Sequence, residues 1–256
     1  MSSSTSQTTK PTHRGRGPDA AVAGRALVFF AITLLAACGI ESIPFIAGPR
    51  SSEVDFVLET ARITFLHNEN DNNTDEFEGY ELYYRLYEDT LGTGCGENPD
   101  CEADFDYILN NPVQTGPSRL LGRDYRRIVF NDAPGEIPNI PVSNGNKGTE
   151  FEVDIDMTAD GLQTAVVADW PDGPVQLNRG LPTQGNPGIY KSFLVRDEYA
   201  NDDEDVDHMP SDISDVIAND NLYASVYALG YGIDPGSLQA LYSEPVFLGY
   251  VRLEPQ

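Results

Sequence analysis

Apolar side chains recur at every second position along several stretches of this chain, and that period constrains its fold more than any other feature. The run Phe151-Glu152-Val153-Asp154-Ile155-Asp156-Met157 shows it most cleanly. Successive side chains of an extended strand point to opposite faces, so Phe151, Val153, Ile155 and Met157 share one face and the three acids share the other. One face must meet a core while the other meets water. Ala61, Ile63 and Phe65 alternate in the same way with Arg62 and Thr64. In Gly79–Tyr87, Tyr80, Leu82, Tyr84 and Leu86 share a face, whereas Glu81, Tyr83, Arg85 and Tyr87 point the other way. Enrichment in aromatic and β-branched residues favours strand over helix in these runs.

Further strands are expected at Arg127 to Phe130, Thr164 to Ala168, Tyr190 to Val195, Leu222 to Leu229 and Val246 to Leu253. Turn signals recur between them, at Pro134-Gly135, Pro171-Asp172-Gly173, Asn186-Pro187-Gly188 and Pro235-Gly236. No long amphipathic helix is evident, although Ser211 to Asn219 has room for a turn or two. The pattern is that of a mainly β domain.

The N-terminus obeys different rules. Lys10, Arg14, Arg16 and Arg25 precede the uncharged run Ala26 to Ala37. At ~1.5 Å per residue this run covers about 18 Å as a helix, short of a ~30 Å hydrocarbon core, so it reads as a cleavable signal segment rather than a spanning anchor. Leu35-Ala36-Ala37-Cys38-Gly39 follows, and it resembles the bacterial lipobox. That resemblance implies cleavage between Ala37 and Cys38 and acylation of Cys38, palmitate included, which tethers the product to a membrane. Two or more acyl chains anchor stably, since each buried CH₂ contributes ~0.8 kcal/mol. Residue 39 is glycine, not the aspartate that retains enterobacterial lipoproteins at the inner membrane, which points to the outer membrane or cell surface. Residues 38–55, rich in Gly, Pro and Ser, read as a flexible tether, with the folded domain over 56–256.

Charge excludes one class of partner. The chain carries 16 Lys and Arg against 41 Asp and Glu. Residues 1–37 contain four of those bases and one acid, Asp19, so the processed form has 12 against 40, a net charge of −28. Such a field repels nucleic acid and anionic headgroups. Its plain explanation is a solvated acidic surface.

With Cys38 acylated, Cys95 and Cys101 are the remaining cysteines. The turn-forming residues between them favour a loop disulfide outside the cytoplasm, contributing about 2 kcal/mol. The acidic runs Asn68 to Glu76 and Asp197 to Asp207 read as solvated loops, because neither has EF-hand spacing. If a calcium ion binds, Asp202, Asp203, Asp205 and Asp207 are its first candidate ligands; otherwise no cofactor is expected. Gly92-x-Gly94-x-Gly96 lacks the lysine of a phosphate loop, and no nucleophile motif is present. Tyr83 and Tyr87 admit two readings, an exposed recognition surface or a face covered by another part of the chain.

Three segments resemble fibronectin type III modules. Ala61-x-Ile63-x-Phe65 resembles the second strand, with Phe65 where that family has tryptophan. Gly79-Tyr80-x-Leu82-x-Tyr84-Arg85 resembles the third. Leu222-x-Ala224-x-Val226-x-Ala228 and Ser243-x-Pro245-Val246 resemble the last two, with Leu222 in place of the corner tyrosine. The resemblance implies an immunoglobulin or fibronectin type III-like β-sandwich with a long insertion at about 88–220. The lipobox together with Phe77-x-Gly79-Tyr80-x-x-Tyr83-Tyr84 is also similar to uncharacterised spirochaete-type lipoproteins. The expected function is a lipid-anchored cell-envelope protein, not an enzyme, serving as an interaction or structural module for a protein or glycan. The alternatives are an envelope hydrolase using a carboxylate pair and a calcium-stabilised adhesin.

Overall fold

The two longest strands, β2 (Phe77–Glu88) and β11 (Leu222–Ile233), run antiparallel from Leu222 opposite Glu88 to Gly232 opposite Phe77 and form the spine of the fold. The computed structural model describes residues 45–50, 62–88, 99–111, 114–130, 137–157, 166–179, 182–183, 186–190 and 222–252, all within the unit from Pro44 to Gln256. On one side of the spine, β12 (Ala240–Tyr242) and β13 (Val246–Arg252) pair with β11. On the other, β3 (Arg126–Arg127) and β5 (Ile140–Pro141) pair with β2. A second antiparallel sheet has the order β1 (Arg62–Leu66), β6 (Glu152–Asp156), β7 (Val166–Asp169), β8 (Val175–Asn178), β4 (Val129–Phe130). A short hairpin joins β9 (Pro182–Thr183) to β10 (Asn186–Tyr190).

The period-two pattern explains the core. Tyr80, Leu82, Tyr84 and Leu86 of β2 and Ala224, Val226 and Ala228 of β11 bury one face against Ile63 and Phe65 of β1, Val153 and Ile155 of β6, and Val175 and Leu177 of β8. Phe65 is fully buried, its ring meeting Tyr80 edge to face at 5.1 Å. The molecule is thus mainly β, with antiparallel sheets enclosing one apolar core as in a β-sandwich. The acidic face of β6 meets solvent as expected: Glu152 is exposed, and Asp154 pairs with Arg62 across the β1–β6 ladder.

Three expectations need correction. First, residues 45–50 are not tether. Ile46 and Ala47 are buried, and Arg50 pairs with Leu66 through two backbone hydrogen bonds of 2.9 Å. Gly230 and Gly232 make the room. A Cβ on Gly230 would lie 2.2 Å from the Ala47 carbonyl oxygen, and one on Gly232 would lie 2.8 Å from Ile46 Cδ1. Second, the stretch 88–220, read as a long insertion, supplies strands to both sheets: β3 and β5 extend one, while β4, β6, β7 and β8 join β1 in the other. The strand expected over 127–130 is split between the sheets, with fully buried Ile128 at the crossing. Third, the region holds helices: α1 (Pro99–Asn110) and α2 (Gly116–Leu121). They form a third layer over the outer face of the β2–β11 sheet, where Cys101, Ile108, Leu120 and Tyr125 cover Tyr83, Tyr87, Tyr223, Tyr227, Leu229 and Tyr250. Ser211 to Asn219 and Val195 lie outside the described residues.

Candidate functional site

The helix-covered face of β2 concentrates the polar chemistry of the described chain. The alternation that sends Tyr80 and Leu82 inward sends Glu81, Tyr83, Arg85 and Tyr87 outward, beneath α1 and α2. Tyr83 and Tyr87 are each 4% exposed, so the exposed-surface reading of this pair fails and the covered one holds. From α1, the Asp104 carboxylate reaches into this layer. It accepts hydrogen bonds from Arg85 Nη1 and the Tyr87 hydroxyl, and Arg123 Nη1 stands 3.5 Å away. Tyr87 and Tyr125 place their hydroxyls 3.3 Å apart, and Tyr125 pairs with Ser225 Oγ at 2.9 Å. The Arg85 guanidinium lies 4.9 Å from the Tyr87 ring centre.

Glu81, 1% exposed, forms a neighbouring group. It accepts from the Tyr83 hydroxyl at 2.9 Å and from Arg127 Nη1 at 3.1 Å. Burial raises its carboxyl above the usual carboxylate range, more than the Tyr83 and Arg127 contacts lower it. Burial also lifts the phenols, Tyr125 to about 12 and Tyr87 further still, so these hydroxyls remain protonated and act as donors. Glu81 and Asp104 are the buried acids among the described residues. Asp104 engages Arg85 and Tyr87 of β2, with Arg123 beside it, and so ties α1 to the sheet, whereas Glu81 engages Tyr83 of β2 and Arg127 of β3 within the sheet.

A second buried network closes one end of the sandwich. His67 is fully buried and stacks on Phe151 with ring centres 4.5 Å apart, although the sequence places it in a polar loop. Its Nε2 lies 2.7 Å from the Lys147 carbonyl, which can only accept, so Nε2 carries the proton. Nδ1 then accepts from the Tyr80 hydroxyl at 2.6 Å. That hydroxyl oxygen also receives the Asn68 N–H at 3.2 Å and Asn72 Nδ2 at 3.4 Å. Asn72, fully buried within the run read as a solvated loop, clamps Ala47 through its N–H at 2.9 Å and its carbonyl at 3.0 Å.

Protonating His67 would set two donors against each other at Tyr80. Burial lowers the His67 pKa below 6.5, and Arg50 lowers it further, outweighing the opposite effects of the Lys147 carbonyl and Glu69. Below about pH 6.5 the unfolded chain therefore binds a proton that the folded chain refuses. The neutral-histidine stability is complete above that pH and is lost as pH falls. The slope is at most about 1.4 kcal/mol per pH unit, the one-proton limit, over the interval below about pH 6.5 in which the folded histidine is still neutral. Urea titrations at several pH values measure it, and His67→Gln should flatten the slope over that interval.

Ala37, Cys38, Cys95, Asp202, Asp203, Asp205 and Asp207 lie outside the described residues. Cys101 is 1% exposed in the first turn of α1. Among the described residues no cluster of three or more His, Cys, Asp or Glu side chains is placed to hold a metal ion. The residue that sequence reasoning missed is Asp104. A signal existed, since Cys101, Phe105 and Ile108 recur at helical spacing after a proline and two early acids, Asp100 and Glu102. No family model, curated protein or solved structure matches this chain.

Proposed function

We propose that this chain is a lipid-anchored cell-envelope protein whose β-sandwich serves as a non-enzymatic interaction or structural module. The observation that carries the reading is the lipobox-like Leu35-Ala36-Ala37-Cys38 placed directly after a twelve-residue apolar run and a basic leader. Among the described residues no helix is long and apolar enough to cross a membrane. The buried carboxylates of Glu81 and Asp104 and the hydroxyls of Tyr83 and Tyr87 support a structural role, because these four groups are already engaged within the protein.

The sandwich is read further as fibronectin type III-like. In immunoglobulin-type folds the third, sixth and seventh strands share one sheet, and the second and fifth share the other. Here the segments resembling the third, sixth and seventh strands pair in the order β2, β11, β13, while β1 pairs with β6 in the opposite sheet. Cys95 and Cys101 are proposed to form a disulfide at the entry to α1.

Expression in a lipidating bacterial host with a palmitate analogue tests the anchor. The wild-type chain should incorporate label and be isolated with acylated Cys38 at its N-terminus, and Cys38→Ser should lose essentially all label. Protease shaving of intact cells then reports surface exposure. An intact leader, or an unmodified thiol at residue 38, would remove the basis of the reading.

A further inference from the structure

The two most exposed large apolar side chains among the described residues are Leu238, 79% exposed, and Phe45, 70% exposed. They occur at the same end of the sandwich. Ile46 is seated against Gly232, so Phe45 leaves the core beside the last residues of β11. Ile233, 37% exposed, follows Gly232, and Leu238 lies on the turn from β11 to β12. Phe45 is held by its buried neighbours Ile46 and Ala47, the latter clamped by Asn72. Leu238 is equally fixed. Its N–H donates to the Asp234 carbonyl at 2.7 Å, while the Asp234 carboxylate accepts from Gly236 N–H at 2.9 Å and Ser237 Oγ at 2.5 Å. The turn holds Leu238 at φ +57, a left-handed conformation that a branched apolar residue rarely adopts. Two rigidly displayed apolar side chains on one end are a surface in search of an apolar phase.

We infer that this end, formed by Phe45, Ile233 and Leu238, rests on the bilayer that holds the lipid anchor, with the side chains of Phe45 and Leu238 inserted at the headgroup level. The inference depends on the acylation of Cys38 proposed above. Phe45 lies seven Cα-to-Cα steps after Cys38, and at up to ~3.6 Å each these span at most about 25 Å, so the linker is short enough for contact. Reach alone does not orient the domain; the apolar side chains do. The net charge of −28 after processing disfavours anionic headgroups, so the surface recognised is zwitterionic lipid.

Tryptophan fluorescence tests this, because the chain has a single tryptophan, Trp170, which is buried and hydrogen-bonded to the Pro141 carbonyl at 3.1 Å. Three variants of the full chain, Phe45→Trp, Leu238→Trp and the control Leu121→Trp, are produced in a lipidating host. Each is reconstituted into phosphatidylcholine vesicles with and without a headgroup-proximal spin-labelled lipid. Leu121 is 56% exposed and is the last residue of α2. The variants at 45 and 238 should be quenched at least twofold more than the control. Cosedimentation is scored first on the wild-type protein. If the protein fails to pellet with vesicles, the anchor falls and the inference with it. If it pellets but the variants at 45 and 238 are quenched no more than the one at 121, the docked end alone is overturned.

Discussion

Asp104→Ala is expected to lower the unfolding free energy by about 3–5 kcal/mol, the range for removing one partner of a buried ion pair. The cause is the group left behind. Arg85 has a side-chain exposure of 7%, and without Asp104 its positive charge remains in the layer between α1 and the β2–β11 sheet with no carboxylate. The Tyr87 hydroxyl loses its acceptor in the same step. Asp104→Asn keeps the shape and one acceptor oxygen, so it should fall between the two. The double variant Arg85→Met with Asp104→Leu should recover much of the loss, because removing both charges abolishes the desolvation cost as well as the attraction. The Arg62–Asp154 pair is the contrast: with side-chain exposures of 55% and 25%, Asp154→Ala should cost no more than about 1 kcal/mol. Urea unfolding midpoints give these differences, and near-ultraviolet dichroism of the tyrosine cluster reports whether α1 stays docked. A loss below 1 kcal/mol for Asp104→Ala would mean that the helix is not held through this carboxylate.

Phe65→Ala should be comparably severe, about 3–5 kcal/mol, because a fully buried aromatic ring is replaced by a cavity that the surrounding strands fill only partly. Phe65 stands at the centre of the sandwich, on β1 opposite Val153 of β6 and edge to face with Tyr80 of β2. Its removal thus weakens the contact between the two sheets as well as its own packing. Phe65→Trp tests the fibronectin-like reading, in which this position is usually tryptophan. The indole is larger, and the ring at 65 already meets Tyr80 at 5.1 Å, so overpacking of about 1–3 kcal/mol is expected rather than a gain. Thermal and urea denaturation of both variants decide the matter. A Phe65→Trp protein more stable than wild type would show that the site retains the volume of the family's larger residue.

Much of the sheet architecture is readable from period alone, because a strand's two faces are a property of its backbone. The inward sets Tyr80, Leu82, Tyr84, Leu86 and Phe65, Ile63 are already distinguishable in the sequence, as is the solvent-facing acidic side of β6. What period cannot supply is the identity of whatever covers the other face. Tyr83 and Tyr87 look the same in sequence whether they meet water or a helix, and α1 went unread because its apolar residues are sparse among acids and follow a turn-rich stretch. Polar loops conceal burial for a similar reason. His67 and Asn72 are hydrophilic residues in a hydrophilic run, yet each is fully buried because its hydrogen bonds are met by groups far away in sequence, Lys147 and Ala47.

Local chemistry therefore determined, by itself, the alternating strands and the turns at Pro171-Asp172-Gly173 and Pro235-Gly236, since each depends on neighbouring residues only, whereas Asn186-Pro187-Gly188, expected as a turn, lies within β10. Tertiary structure alone decided that residues 45–50 belong to the fold, that Asp104 meets Arg85, and that the tyrosine face is buried. Those outcomes depend on which distant surfaces exclude water from one another, and water exclusion is a property of the assembled layers rather than of any segment.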